Sequence, residues 1–313
     1  MGFISQREAF GRALLEYGSK DPNVVVLDAD TSSSTMSKYF ADSFPDRFIN
    51  VGIAEPCLVD VAVGMALGGY IPFINAFSAL LSLRALEQIR TCVAYANTNV
   101  KIAASYAGVS DYKDGPTHHS IIDIGIMRMI PGMTVIVPGD EVEIKEWVPV
   151  IAAHAGPVFI RLSRAGSEIV HQSKPEVEIG KGFVLKEGID VGIISAGSMV
   201  IRSLKAAEAL AKEGINACVI EMPSIKPIDE KLILETSEKT KALVTAEEHS
   251  ILGGLGSAVA EVVTKHQPVP VERVGIHDVF TRTAPDPDTL MDAFGMSVDD
   301  VMKACLTAIE RKG

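Results

Sequence analysis

Glu55 is the first residue of the sequence whose type and position suggest chemistry. It follows Gly52-Ile53-Ala54 and precedes Pro56, at the predicted start of an apolar helix where proline is well tolerated. A carboxylate at this position could simply interact favourably with the helix dipole. It could also be a partly desolvated acid that holds a proton on a partner nitrogen. The residues alone leave both interpretations open.

A second candidate is the turn Asp114-Gly115-Pro116-Thr117-His118-His119. The Gly-Pro pair predicts a sharp bend, and Thr117 can cap the helix-like sequence that follows. An acid beside two histidines suggests acid–base or metal chemistry, and a surface turn is the simpler alternative. Because neighbouring turn residues point in different directions and no further ligand is suitably spaced, we predict no metal site.

Two further motifs each have a structural alternative. Arg164 follows a predicted strand that begins at Pro157, and the carboxyl ends of parallel strands face ligand-binding crevices. Its guanidinium could bind a phosphate or simply be solvated. The segment Gly253-Gly254-Leu255-Gly256 partly resembles a dinucleotide fingerprint, but without a following ribose-binding acid it favours tight packing of helix on sheet.

Composition restricts the class of protein. The chain has 313 residues, which predicts two domains, and a net charge of −11, which argues against nucleic acid or an anionic membrane as partner. Apolar residues make up 47% and charged residues 22%, as in ordinary folded proteins. The four cysteines lie far apart, which argues against a disulfide scaffold and favours a reducing, cytoplasmic environment.

The uncharged stretch 61–83 is long enough to span a bilayer. Gly68, Gly69, Pro72 and Asn75 interrupt it. We therefore predict a buried helix, a turn, a buried strand and a second helix instead of a membrane span.

Short apolar strands alternate with helices along the chain, which predicts α/β domains built on mostly parallel sheets covered on both faces. The predicted strands are 24–28, 48–51, 71–75, 100–104, 134–138, 158–162, 191–195, 217–221, 242–247 and 271–275. The predicted helices are 6–17, 55–67, 82–96, 141–154, 198–213, 230–238 and 254–265, with a last helix after Ser297. The polar segment after 165 predicts a change of domain, and we place the first domain at 1–175, a linker at 176–188 and the second domain at 189–313.

The order of five motifs resembles the C-terminal half of transketolase, with the pyrimidine-binding domain first and the family's C-terminal domain second. The motifs are G-I-A-E (52–55), R-A-L-E-Q-I-R (84–90), D-G-P-T-H-H-S-I-I-D (114–123), I-P-G-M-T-V-I-V-P (130–138) and F-I-R-L-S-R (159–164). This resemblance covers essentially the whole chain and implies two three-layer α/β domains.

The resemblance also implies a cofactor, thiamine diphosphate, and roles for particular residues. Glu55 matches the glutamate that hydrogen-bonds N1′ of the aminopyrimidine, while His118 and Asp114 match residues that bind substrate hydroxyls. Further positions assigned to the cofactor are Phe77, Leu80, Asp30 and Arg84. Leu80 stands where the family usually places a stacking aromatic residue, so cofactor affinity is expected to differ.

Arg164, Arg7 and Ser34 match positions that bind the sugar phosphate. Charge-assisted donors of this kind suit a phosphate. Tyr106 takes the place of a substrate-channel histidine, which predicts an altered choice of substrate.

The GDG motif that holds the diphosphate and its Mg²⁺ or Ca²⁺ does not occur in this sequence. The resemblance therefore implies a split transketolase of the pentose phosphate pathway, with a separate N-terminal subunit that carries the motif. Two such chains, self-associated as a homodimer, would pair with two partners in a heterotetramer. The alternatives are a 1-deoxyxylulose-5-phosphate synthase-like or specialised sugar transketolase, and a non-catalytic subunit that dimerises or regulates.

Overall fold

The computed structural model describes residues 4–166 and 168–312. Strands and helices alternate through both halves of this range, as the sequence predicts. The strands are β1 (Val24–Asp28), β2 (Phe48–Asn50), β3 (Ile71–Phe77), β4 (Lys101–Ser105), β5 (Thr134–Ile136), β6 (Val158–Leu162), β7 (Phe183–Lys186), β8 (Val191–Ser195), β9 (Ala217–Glu221), β10 (Ser224–Lys226), β11 (Leu243–Ser250) and β12 (Val271–Ile276).

The helices cover both faces of the sheets. They are α1 (Gln6–Lys20), α2 (Ser32–Thr35), α3 (Lys38–Ser43), α4 (Glu55–Leu67), α5 (Ser78–Leu83), α6 (Leu86–Gln88), α7 (Asp123–Met129), α8 (Glu141–Ala153), α9 (Met199–Lys212), α10 (Glu230–Thr240), α11 (Leu255–His266), α12 (Pro287–Ala293) and α13 (Val298–Arg311). A 3-10 turn spans Pro45–Arg47, and a π-helical segment, Ile89–Tyr95, follows α6.

The strands form two sheets, so the predicted α/β class is confirmed. The first sheet has the order β10-β5-β6-β4-β3-β1-β2, and the second has the order β12-β11-β8-β9-β7. All pairs are parallel except β10 with β5 and β7 with β9, which are antiparallel edge pairs. Non-sequential neighbours in both orders reflect the helical crossovers that parallel strands require.

Burial on both faces of the first sheet explains its near-continuous apolar strands. Side chains alternate between faces along a strand. In β1, Val24 and Val26 belong to one core with Phe10 and Trp147, whereas Val25 and Leu27 belong to the opposite core. Each fully buried side chain of this size contributes about 1.5–3 kcal/mol of transfer free energy.

Two local predictions differ from the structure, and strand β10 was not among the predicted elements. The helix predicted over 82–96 begins earlier, at Ser78, and is interrupted near Ala85, whose N–H bonds to the carbonyl oxygen of Leu80. The spacing of apolar residues indicates which side of a helix is buried. It does not indicate whether the backbone hydrogen bonds span four residues, as in an α-helix, or five, as in a π-helix. The segment predicted as a linker, 176–188, contains the edge strand β7, and β10 extends the first sheet although it comes from the second half of the chain.

The stretch 61–83 divides into the end of α4, then β3, then α5, as the interrupting residues predict. No helix of the described residues is both long and apolar enough to cross a membrane.

Candidate active site

The carboxyl edge of the first sheet brings most of the predicted site residues together. Phe77 at the end of β3 lies in register with Ser105 at the end of β4, which lies in register with Leu162 at the end of β6. The segments that follow these three strands therefore lie at the same edge of the first sheet. The segment that follows β1 lies at this edge too. In open α/β sheets this is where ligands bind.

Glu55 is the first residue of α4, and its side chain is only 1% exposed. Its partner is Arg84, just after α5, whose Nη1 lies 2.9 Å from Oε2 and 3.1 Å from Oε1 of the carboxylate. Arg84 itself is about half exposed. The structure thus places a desolvated acid at this edge with a cation that approaches it from the solvent side.

The segment after β1, which carries Asp30 and Ser34, is held by Asp28. Its buried carboxylate accepts hydrogen bonds from the hydroxyls of Thr31, Thr35 and Ser37, while burial raises its pKa. Asp30 is exposed, with a left-handed φ of 64°, and its Oδ1 accepts a 3.1 Å hydrogen bond from the side-chain amide of Asn50. Asn50 Oδ1 also accepts from the N–H of Gly52, which connects Asp30 to the segment leading to Glu55.

Arg7, Ser34, Tyr106 and Arg164 form a cluster that we call the anion cluster. Arg7 Nη1 donates to the carbonyl oxygen of Ser34 and, at 2.7 Å, to the hydroxyl of Tyr106. The guanidinium groups of Arg7 and Arg164 lie 5.0 Å and 5.1 Å from the centre of the Tyr106 ring, within the range of cation–π interactions. The three residues predicted to bind phosphate are therefore assembled around the predicted channel residue.

Backbone and side-chain contacts of α1 fix the position of Arg7. The neighbouring Gln6 accepts a 2.8 Å hydrogen bond from the N–H of Ser163, and its amide donates to the carbonyl oxygen of Pro138. Arg164 follows directly and donates its N–H to the hydroxyl of Ser110. The start of α1 and the end of β6 therefore hold the two arginines on the same side of the sheet.

The buried Asp111 belongs to the same neighbourhood but was not identified from the sequence. It forms an ion pair with Arg164. Burial and the neighbouring carboxyl group of Asp114 raise the pKa of Asp111 to about 6, although the charge of Arg164 opposes the shift. The only sequence signal was its place three residues before the Asp-Gly-Pro turn.

The turn at 114–119 separates its two histidines. His118 is partly exposed and lies edge-on to Phe77, with ring centres 6.0 Å apart. His119 is buried and bonds to Thr281 and to the carbonyl oxygen of Asp111, and burial lowers its pKa. Asp114 is exposed on the turn. Only His118 therefore presents its ring towards the aromatic residues of the candidate site.

Phe77 and Leu80 are partly buried beside these groups. The ring centre of Phe77 lies 4.2 Å from that of Tyr106, so Phe77 connects the turn at 114–119 to the anion cluster. Leu80 lies one helical turn later on α5. The predicted residues include two sets that are in direct contact, Glu55 with Arg84 and the anion cluster, and the described residues contain no hydrogen bond that joins one set to the other.

A buried ion pair that the sequence did not reveal holds this edge against the second half of the chain. Arg161 Nε lies 2.9 Å from Oδ2 of Asp123, and its charge lowers the pKa of Asp123 despite the burial that acts in the opposite direction. Arg161 also donates to the carbonyl oxygens of Ser120 and Glu248. In the sequence, Arg161 is the one charged residue of the otherwise apolar strand β6.

The glycine-rich motif at 253–256 serves packing. The carboxylate of Glu247 accepts from the N–H groups of Leu255 and Gly256 and so occupies the start of α11, where a dinucleotide phosphate would bind. A Cβ at Gly254 would lie 2.0 Å from Glu247 Oε2, which explains the glycine.

Both halves of the chain match known domain families. Residues 3–167 match the transketolase pyrimidine-binding domain, and residues 180–301 match the transketolase C-terminal domain. The resemblance deduced from the motifs is confirmed.

Relatives match the chain from end to end. It is 42% identical over 306 residues to the 6-deoxy-6-sulfo-D-fructose transketolase subunit SqwH of Clostridium sp. strain MSTE9, covering 98% of this chain and 95% of that protein. It is also 42% identical to a putative transketolase C-terminal section of Methanocaldococcus jannaschii, covering 99% and 98%. The 1-deoxy-D-xylulose-5-phosphate synthase of Desulfotalea psychrophila is 35% identical, and the match covers 99% of this chain but 49% of that enzyme.

Solved structures agree. A split-gene transketolase described as an inactive β4 tetramer superposes with a TM-score of 0.91 at 45% identity, and the match covers 100% of both chains. Transketolase from Leishmania mexicana shares the fold, with a TM-score of 0.83 at 23% identity over 99% of this chain and 46% of that one. Together the domain matches and the end-to-end similarity to split chains show that this protein belongs to the transketolase family, as a subunit with the pyrimidine-binding and C-terminal domains.

Proposed function

We propose that this chain is the C-terminal subunit of a thiamine-diphosphate-dependent transketolase, which transfers a two-carbon ketol unit between sugar phosphates together with a separate N-terminal subunit. The observation that carries the proposal is the buried carboxylate of Glu55, which lies at the same sheet edge as the anion cluster. The carboxylate can bind a ring nitrogen of the cofactor, and the anion cluster can bind the terminal phosphate of a sugar.

The residues at this edge fit the aminopyrimidine half of the cofactor. Glu55 offers a desolvated carboxylate, and the partly buried Phe77 and Leu80 offer apolar contact. Thiamine diphosphate, when bound, supplies a carbanion at C2 of its thiazolium ring that attacks the ketose carbonyl. The diphosphate and its divalent ion are assigned to the partner, because the GDG motif that would hold them does not occur in this sequence.

Glu55 holds and exchanges a proton at N1′ of the aminopyrimidine, which requires a carboxyl group in a water-poor site. Arg84 keeps the Glu55 carboxylate in place before the cofactor binds, through its two short contacts. Asp30 would help to hold the thiazolium part of the cofactor.

His118 and Asp114 bind the hydroxyl groups of the sugar, with the ring of His118 oriented by Phe77. Arg7, Ser34 and Arg164 bind the terminal acidic group, and Tyr106 contacts both guanidinium groups, through a hydrogen bond to Arg7 and cation–π interactions with both arginines. Fixing both ends of the sugar places the carbonyl for reaction and lowers the entropic cost of the step.

The chain is proposed to be inactive without its partner. The β4 tetramer of the structural relative carries the description inactive, which agrees with an active site completed by a second kind of subunit. Self-association of this chain is part of the same proposal.

The decisive test combines the purified chain with the N-terminal subunit encoded in the same organism, thiamine diphosphate and Mg²⁺. Ketol transfer from xylulose 5-phosphate should require both subunits, and Glu55→Gln should lower kcat by about 10²–10⁴-fold while calorimetry still shows cofactor binding. Turnover by the chain alone, or full activity of Glu55→Gln, would contradict the proposal.

The donor needs a separate measurement, because the relatives include enzymes named for a sulfo-sugar and for 1-deoxyxylulose-5-phosphate synthesis. Product analysis with xylulose 5-phosphate, 6-deoxy-6-sulfofructose and pyruvate as alternative donors distinguishes them. We expect the two sugars to react and pyruvate to be a poor donor. A preference for pyruvate would identify the synthase-like alternative.

A further inference from the structure

The anion cluster contains a carboxylate that an anion-binding site does not need. Asp111 is fully buried, and its Oδ1 forms the ion pair with Arg164. Its Oδ2 is also buried and has no hydrogen-bond partner among the described residues. A buried acid beside the binding position of an anion repels that anion, so it affects which anions the site accepts.

Arg7 shows that the cluster is otherwise built to receive an acidic group. Its Nε is buried and finds no acceptor within the described part of the chain, although its Nη1 is fully engaged with Ser34 and Tyr106. An unpaired buried donor is costly, and an incoming anion would satisfy it.

The charges of the cluster can be counted. Arg7 and Arg164 contribute two positive charges, and an ionised Asp111 leaves a net charge of one. Protonation of Asp111 restores the net charge of two. A sulfonate carries one negative charge, whereas a phosphate ester carries about 1.5–2 at pH 7. The protonation state of Asp111 therefore decides which acidic group the cluster matches.

Asp111 faces few other ionisable groups. Arg164 and Asp114 approach its carboxyl, and His119 bonds only to its carbonyl oxygen. Burial and the neighbouring Asp114 raise the pKa of Asp111 to about 6 in spite of Arg164. A proton can therefore be gained near neutral pH when a second negative charge arrives.

We propose that Asp111 is the residue that sets the charge of the terminal acidic group accepted by this site. As a carboxylate it favours a monoanion such as a sulfonate, and a dianion such as a phosphate ester binds together with one proton taken up by Asp111. This inference rests on the proposed function, because it defines the substrate class of the same site.

Sulfate and methanesulfonate provide a clean test, since one is a dianion and the other a monoanion throughout pH 5–9. Calorimetry on the full chain, in two buffers of different ionisation enthalpy, counts the protons taken up. At pH 7.5 sulfate should bind with uptake of about one proton, and its affinity should rise about tenfold by pH 5.5. Methanesulfonate, which carries half the charge, should show a smaller rise of about threefold over the same pH range.

Asp111→Asn keeps the size of the side chain and an oxygen for Arg164. It should abolish the proton uptake and raise the ratio of sulfate to methanesulfonate affinity at pH 7.5 about tenfold. Asp42→Asn, which removes an exposed acid on α3, is the matched control and should leave both quantities unchanged.

Sulfate binding without proton uptake in the wild-type chain would overturn the proposal, and so would an unchanged affinity ratio in Asp111→Asn. The wild-type measurement stands even if the variant fails to fold. Calorimetry measures anion binding without any turnover. If the complex showed no ketol transfer, the proposed function would be wrong, but the measured anion binding and proton uptake would still test the role of Asp111.

Discussion

Arg84 contacts both carboxylate oxygens of Glu55 through a single nitrogen, Nη1, at 2.9 and 3.1 Å. The acid is 1% exposed and the arginine 51%, so a solvated cation reaches into the protein to compensate a buried charge. Any ligand nitrogen that bonds to Glu55 must share the carboxylate with Arg84 or displace it. This pair therefore couples the stability of the chain to the occupancy of the site.

Replacing Arg84 with leucine should leave Glu55 as a buried, unpaired charge. Breaking a fully buried pair costs about 3–5 kcal/mol, and the exposure of Arg84 reduces the expected loss to about 1–3 kcal/mol at pH 8. Urea unfolding at pH 8 measures the effect.

Arg90→Leu is the matched control for this prediction, since Arg90 pairs with Glu87 on the exposed side of the same region. It should leave the unfolding midpoint at pH 8 nearly unchanged. Equal effects of the two substitutions would show that the Glu55 pair contributes no more than a surface ion pair.

Leu80→Phe should strengthen cofactor binding. An aromatic ring at this partly buried position of α5 can stack on the aminopyrimidine, which is worth about 0.5–1.5 kcal/mol beyond area burial. The Kd for thiamine diphosphate, measured by calorimetry on the complex with the partner, should fall about 2–10-fold. Leu306→Phe on α13 adds the same ring away from the site and should have no effect. A higher Kd for thiamine diphosphate in the Leu80→Phe variant would argue against contact between this residue and the cofactor.

Glu221→Gln should flatten the dependence of stability on pH. Glu221 and Glu143 are buried together where β9 meets α8, and Glu221 Oε2 lies 2.7 Å from Nε2 of His171. Burial raises the pKa of Glu221 to about 8, and burial together with Glu221 raises the pKa of Glu143 well above its usual range.

The direction of the pH effect follows from these shifts. The folded chain keeps protons on the two acids that the unfolded chain releases above about pH 4.5, so the free energy of unfolding should fall as pH rises from about 5 to 8. Each such proton contributes a slope of up to about 1.4 kcal/mol per pH unit. Glu221→Gln should reduce the slope across pH 5.5–8.5 in urea unfolding, whereas Glu238→Gln on the exposed side of α10 should not. An identical slope in both variants would show that the buried pair does not titrate in this range.

Tyr106→Phe should weaken binding of the acidic end of the substrate without slowing the chemical step. The substitution removes the hydroxyl that accepts from Arg7 but keeps the ring that both guanidinium groups contact. KM for a sugar phosphate should rise about 3–10-fold, in line with the net contribution of one ordinary hydrogen bond, and kcat should stay within about twofold. A large fall in kcat with unchanged KM would instead place Tyr106 at the reacting atoms.

Several elements were predictable because their signals are local. The bounds of α4 and of β1, β6, β8 and β9 agree with the prediction, since apolar runs, turn residues and Pro56 mark them. The edge strands β7 and β10 were not predicted. Each has four residues or fewer, and each exists through its antiparallel partner. Pairing with a distant strand leaves no periodic signal in so short a segment.

Two pairs of side chains were unpredictable for the same reason, because they meet only in the folded chain. Asp111 and Arg164 are 53 residues apart, and Glu143 and Glu221 come from different halves of the chain. Nothing in their immediate sequence distinguishes them from solvated charges, because burial is a property of the packed elements around them.

The sequence by itself determined the α/β class, the family and the residue types of the candidate site, because these depend on local pattern and on the order of motifs. Only the tertiary structure decided that Arg7, Ser34 and Arg164 surround Tyr106, that His118 and His119 point to different places, and that Asp111 lies inside the anion cluster. Parallel strands bring their carboxyl ends to one edge of the sheet, whatever their separation along the chain. At that edge, the charge and solvation of a side chain depend on its neighbours in space.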